Sequence, residues 1–290
     1  MFRGLVTAKG RVAKDEQVFS TAGSTSFTVP DNVNFISAVC VGGGGGSCSA
    51  DGSVSRGAGY GGDLVYGTFP VTPGETLTIV VGAGGVGPTY GTGVQYGGHG
   101  GSSGVKRGSN FILKAKGGKG GGNSTTQDTN TIDADCFHSA QNSGGAGATS
   151  GAGGLGGGGA AGYSGSGGSG GSNSAGASDG SGGGGGGGAY NNTSSWYGGY
   201  GGGTYLYGEG TSGAAGVNAQ GERTGGNGSD DADGIPALIS IIAVGAGAGS
   251  PFTVSYQSPA LSGATGLRGG VRLVWPGQTS YFPSTDVGEP

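Results

Sequence analysis

Few residues in this chain carry side chains that react or bind metal, and their spacing limits what they can do together. Only two histidines occur, His99 and His138. Each stands in a Gly/Ser-rich or polar setting with no second ligand or base at a recognisable interval, so no base pair or metal pair is formed. No H-E-x-x-H, paired C-x-x-C or P-loop lysine pattern is present, and GxGxxG matches carry no weight among 80 glycines. Cys40 lies in the run Ile36–Val41 and reads as a small buried residue. Its alternative is a disulfide with Cys48 in an oxidising medium, which leaves Cys136 single. The stretch Ser229 to Gly234 sets oxygens at alternate residues before a glycine, as the opening of a calcium loop does. Asp231 and Asp233 are its candidate ligands, but Ser240 stands where a bidentate glutamate is required, so a solvated acidic turn is the plainer reading. Asp128, Asp133 and Asp135 form a second acidic cluster open to the same two readings. The expectation is a protein that is not an enzyme and takes no cofactor.

The aromatic residues are more informative. Tyr190, Trp196, Tyr197, Tyr200, Tyr205 and Tyr207 crowd into a short stretch among asparagine, serine, threonine and glycine. Rigid side chains with polar tips give a loop contact area at low entropic cost, which suits receptor binding and stacking on sugar rings. The same residues could instead pack down as anchors between glycine segments and the rest of the fold.

Short runs rich in β-branched and aromatic residues, bounded by Gly and Pro, must position these groups. They are residues 26–29, 35–41, 63–71, 75–81 and 111–116, then 238–244, 252–256 and 271–275. No stretch shows a sustained 3.6-residue apolar period. Thr76, Thr78 and Val80 alternate with Leu77, Ile79 and Val81, as on a strand with one wetter face. The turn Pro70 to Glu75 reads as a tight hairpin connection. The expected fold is all-β: a jelly-roll-like β-sandwich interrupted by a long glycine-rich insertion. Its parts are an N-terminal attachment arm (1–25), the first part of the sandwich with Gly-rich loops (26–120), the insertion (121–234) and C-terminal strands completing the sandwich (235–290).

The insertion has a period. Every third residue from 144 to 186 is Gly at twelve of fifteen positions and is never larger than Ser, while the other phases admit Leu155, Tyr163, Asn173 and Asp179. Three residues per turn is the period of an extended left-handed helix of the polyproline II type. Collagen is excluded, since no proline lies between Pro88 and Pro236. Packed polyglycine II helices remain, with Gly153, Gly156, Gly159, Gly162, Gly165 and Gly168 as a bare face and backbone groups bonding between neighbours. A flexible Gly/Ser linker is the alternative, but it has no reason to hold a phase.

Charge adds exclusions. The chain carries a net charge of −4, and residues 121–234 hold nine acids against one arginine, which would repel phosphate. Nucleic acid is therefore not expected as a partner. Residues 1–14 have spaced basic residues and no apolar run of export-signal length, and no segment reaches the length of a membrane span. The chain reads as cytoplasm-made and without membrane insertion.

Several segments together resemble the glycine-rich structural and tail-fibre proteins of tailed bacteriophages. They are Ser26-Phe27-Thr28-Val29-Pro30; Phe35 to Val41 running into Gly42 to Gly46; Gly61-Gly62-Asp63-Leu64; and Pro73 to Gly85. The end, Gly269 to Gly277 with Tyr281 to Thr285, is similar to the tail of virion proteins in phages of marine and cyanobacterial hosts. The resemblance implies a virion component assembled in the host cytoplasm: an oligomer, with a trimer favoured, that contacts other virion proteins and presents loops to a host glycan or protein. It carries over no catalytic residue. A long fibre's heptad or shaft repeat is missing, so a compact module is expected. A non-adhesive decoration or connector protein of capsid, neck or tail is the second expectation, and an antifreeze-like extracellular protein with water-ordering glycine faces is the third.

Overall fold

The computed structural model describes residues 15–49, 57–89, 95–122, 140–149, 154–190, 198–217, 244–245, 247, 262–277 and 282–283. Among them no helix occurs and nine strands do: β1 (Asp15–Phe19), β2 (Gly23–Thr28), β3 (Phe35–Val41), β4 (Leu64–Pro70), β5 (Thr76–Val81), β6 (Ser103–Arg107), β7 (Asn110–Ala115), β8 (Ala140–Asn142) and β9 (Gly270–Trp275). They form two antiparallel sheets, ordered β1-β9-β3-β4-β8 and β2-β5-β6-β7. The first sheet packs on the second through β3 and β4 against β6 and β7.

Between the sheets lies a core that includes Phe27, Ile36, Phe69, Leu77, Leu113 and Trp275. β5 alternates as its sequence demands, with Leu77, Ile79 and Val81 inward and Thr76, Thr78 and Val80 outward. β3 is buried on both faces. Ile36, Ala38 and Cys40 enter the inter-sheet core, while Val39 and Val41 meet Leu64, Tyr163, Leu206 and Phe282 on the opposite side. That double burial explains its unbroken apolar run.

The turn after Pro70 is not a hairpin. β4 pairs with β3 and β8, whereas β5 pairs with β2 and β6, so residues 71–75 carry the chain from one sheet to the other. Gly74, at φ 78°, supplies the left-handed position that the corner requires, and its N–H donates to Val29 O. Of the segment expected as an attachment arm, residues 15–19 are β1, paired along β9, and β2 begins at Gly23. Three strands escape the apolar pattern: β1 and β8 are short and polar, and β6 is split by Gly104 and a register shift.

Beyond the strands, glycine segments run as extended rods whose N–H groups change partner with every residue. In rod 42–49, Gly43, Gly46 and Ser49 donate to Gly101, Gly98 and Gln95; Gly44 and Ser47 to Leu267 and Ala264; Gly42, Gly45 and Cys48 to Asp63, Tyr60 and Gly57. Donor direction therefore repeats every third residue and selects three neighbours. Its carbonyls accept from others, Gly44 O from Gly85 and Gly43 O from Gly118. The neighbours bond to one another in turn, from the 82–88 rod to 95–101, 117–121, 57–62, Gly245, 263–269 and back, closing a ring around the central rod.

Rod 156–161 is a second centre. Gly156 and Gly159 donate to Gly171 and Gly168, Gly157 and Ala160 to Gly199 and Gly202, and Gly158 and Ala161 to Gly59 and Gly62. Gly145, Gly185 and Gly247 donate to its carbonyls from three further sides. The two centres share rod 57–62. The glycine array is therefore not confined to 121–234, because the loops between sandwich strands are rods of the same array.

The expected single bare face is also revised. Gly145, Gly158, Gly170 and Gly187 lie outside the 144-based phase, yet an added Cβ at each would overlap a neighbouring backbone carbonyl, as it would at Gly156, Gly159 and Gly168. Where the two central rods are enclosed on all sides, at 42–46 and 156–159, every residue is glycine. Bulk is allowed where a rod meets solvent, as at Ser166 and Ser169, or the apolar clusters, as at Leu155 and Tyr163.

Candidate functional site

The aromatic cluster is divided by the array. Rods leave the strands at the sandwich side and end at an opposite, far face. Tyr190 stands near that far face, packed on Ala58, Ala148 and Leu155, and burial raises its pKa. Tyr200, on rod 198–204, is 40% exposed. Tyr205 and Tyr207 follow this rod's sandwich-side end. Tyr205 is buried, and its carbonyl accepts from the Tyr163 hydroxyl at 3.1 Å. Tyr207 lays its ring 4.1 Å from the guanidinium carbon of Arg272. Trp196 and Tyr197 lie outside the described residues, as do Gly153, Asp231, Asp233 and the acidic residues near 128–135. The described tyrosines of the cluster thus form two groups: Tyr205, buried, and Tyr207, 37% exposed, lie at the sandwich side, and Tyr190 and Tyr200 lie toward the far face.

The densest polar chemistry was not singled out from the sequence. Arg272, in the apolar run of β9, is fully buried. Its Nε donates to Glu16 Oε2 at 3.0 Å, a second nitrogen bonds the same carboxylate, and a third donates to Leu206 O at 3.2 Å. The rings of Tyr207 and Phe282 flank it. One cation thereby joins β1, β9, the turn after rod 198–204 and the C-terminal segment. An arginine inside an alternating apolar strand was the available signal. The arrangement holds elements together and has no open face for a substrate.

Asp63, at the junction of rod 57–62 and β4, is the second such group. Burial is the main cause that raises its pKa to about 6, opposed by the Gly144 N–H at 3.2 Å and by Lys116 and Gln141. His99 Nδ1 accepts the Gly120 N–H at 3.1 Å between two rods, and burial followed by the Lys119 charge lowers its pKa. It serves the array as an acceptor. Cys40 is a core thiol on β3 and Cys48 a buried residue far along rod 42–49, so the extended chain between them separates the pair that sequence spacing left open. Among the described residues no group of three or more His, Cys, Asp or Glu could hold a metal ion.

The described residues on either side of 50–56, 90–94, 150–153, 191–197 and 248–261 all end at the far face. The pairings Cys48–Gly57, Ser49–Gln95, Ala148–Gly156, Ala189–Gly199 and Gly263–Pro88 mark that end of the array. The sandwich thus carries a hydrogen-bonded glycine body whose described rods end together at the far face.

No curated protein matches the chain. A family profile described as a glycine-rich domain covers residues 20–276, which includes every strand except β1 and every rod described here. The chain belongs to the glycine-rich domain family.

Proposed function

We propose that this chain is a structural virion protein of bacteriophage tail-fibre or adhesin type, which binds a host surface at the far face of the glycine array. The observation that carries this reading is that the described residues flanking 50–56, 90–94, 150–153, 191–197 and 248–261 end at one side of a body anchored at its other end by the sandwich. Recognition residues commonly sit on loops held by a rigid scaffold, and such a scaffold needs no catalytic group. Tyr190 and Tyr200 lie toward this face, and Trp196 and Tyr197 fall within the 191–197 connection. In this reading the rods are polyglycine II helices, supported by the three-residue return of donor direction and by rods of the kind seen around 42–49. The protein then works in the assembled particle, as an oligomer among other virion proteins.

Burial of Tyr205, and the Tyr207–Arg272 stack, favour a second reading for part of the cluster, in which the chain is a non-adhesive decoration or connector. Adhesion of the purified chain to host cells separates the two. The adhesin reading expects binding that falls at least tenfold in Trp196→Ala or Tyr200→Ala. Absence of adhesion, with infection indifferent to both changes, would leave the connector.

A further inference from the structure

An open cleft of about 250 Å³ lies on the outer side of rod 144–148, lined by Tyr60, Ala146, Gly147, Thr149, Ser169 and Ser172 among others. Its size is below the roughly 300–1,000 Å³ of pockets for drug-sized molecules, so it suits a unit of one ring. None of its lining residues is charged. The wall is mainly polar and small, with Tyr60 its one aromatic residue.

Those polar groups are underused by the protein. The N–H groups of Ala146 and Gly147 find no acceptor among the described residues, although Gly145 and Ala148 on either side donate to rod 156–161. Gly147 is buried, which makes an unused donor there costly unless something else accepts from it. The hydroxyls of Tyr60, Thr149 and Ser169 likewise make no hydrogen bond within the described residues, whereas Ser172 bonds Ser174 and Ala175. Donors and acceptors thus line an open space to which Tyr60 also contributes.

We infer that this cleft is a binding subsite for a single uncharged sugar ring of a glycan. A pyranose has an apolar face for Tyr60 and a rim of hydroxyls, each able to donate and accept, for Thr149, Ser169 and the two amides. An anionic sugar would bring a carboxylate with no cation to meet it. An extended glycine peptide would need a longer row of alternating donors and acceptors than the two free amides supply. The cleft adjoins the far face, since Ala148 and Thr149 line it and precede 150–153, so the inference rests on the reading of that face as a recognition surface.

Saturation-transfer NMR on the full chain, with glucose, galactose, mannose, N-acetylglucosamine, glucuronic acid and a glycine-rich decapeptide as probes, tests the assignment. At least one neutral sugar is expected to receive saturation and glucuronic acid is not. Tyr60→Ala should weaken binding at least tenfold, Tyr60→Phe and Thr149→Val a few-fold, and Val86→Ala, at an exposed position outside the cleft, not at all. Melting curves identify any variant that fails to fold, in which case Thr149→Val and Ser169→Ala carry the comparison. Silence from every neutral sugar, unchanged binding in the cleft variants, or preference for glucuronic acid or the decapeptide would overturn the proposal. Loss of cell adhesion in Trp196→Ala with sugar binding intact would mark a separate far-face function.

Discussion

Two buried ionisable residues set the most specific expectations for single side chains. Asp63 holds its proton up to about pH 6 in the fold, against 3.8 as its ordinary value. The folded state therefore binds more protons than the unfolded state between these values, so stability falls as pH rises from about 4 to 6 and is level above. The loss amounts to at most about 3 kcal/mol. Asp63→Asn keeps an oxygen for the Gly144 N–H, and it should remove this slope and raise stability at pH 7. Urea unfolding at pH 4, 5, 6 and 7 checks both, and a slope unchanged in the variant would show that another group is responsible. Arg272→Leu strands the Glu16 carboxylate and the Leu206 carbonyl. Because the Glu16 side chain remains 25% exposed, the cost should be roughly 2–4 kcal/mol, below that of a broken, fully buried pair. Adding Glu16→Gln should restore part of it; an equal loss in the single and double variants would assign the effect to packing alone.

At the scale of the element, rods obey a rule unlike that of strands or helices: the neighbour on each side decides whether a Cβ fits. Gly159→Val drives the new carbons into the backbone at Gly185 and Gly186, and the loss of stability should exceed about 4 kcal/mol. Gly176 has nothing within 4 Å of an added Cβ, so Gly176→Ala should be neutral or stabilising by up to about 1 kcal/mol. Thermal melts of the two variants make the contrast; similar effects at both sites would contradict close packing. β3, β5 and β9 were legible because their apolar runs are long, and β5 even announced which face is wet. β1 and β8 were not, since Asp15-Glu16-Gln17 and Ala140-Gln141-Asn142 pair at sheet edges without an apolar signature. The Pro70–Glu75 turn was visible as a turn, but its change of sheet depends on partners far away in sequence. Of the site, tyrosines could be located by composition, whereas their division between the two ends of the array follows from the direction of rod 198–204. Tyr60 gave no signal because its cleft is formed by rods distant in sequence.

For the whole molecule, the sandwich and the glycine array are one construction. Strands β3, β5 and β7 continue into rods, and other rods return into β4, β6 and β9, so each of these six rods starts or ends in register with a core that side chains hold. Ordering a glycine costs about 1–2 kcal/mol or more, and a net hydrogen bond returns about 0.5–1.5, so rods cut loose from the sandwich should not persist. The account rests on the two enclosed rods. Amide hydrogen exchange of the full chain, followed residue by residue through 42–48 and 156–161, tests it most directly. Their amides should be protected as strongly as those of β3 and β9. Exchange at the rate of an unstructured glycine chain would contradict the packed array and with it the rigid support on which the proposed recognition face depends.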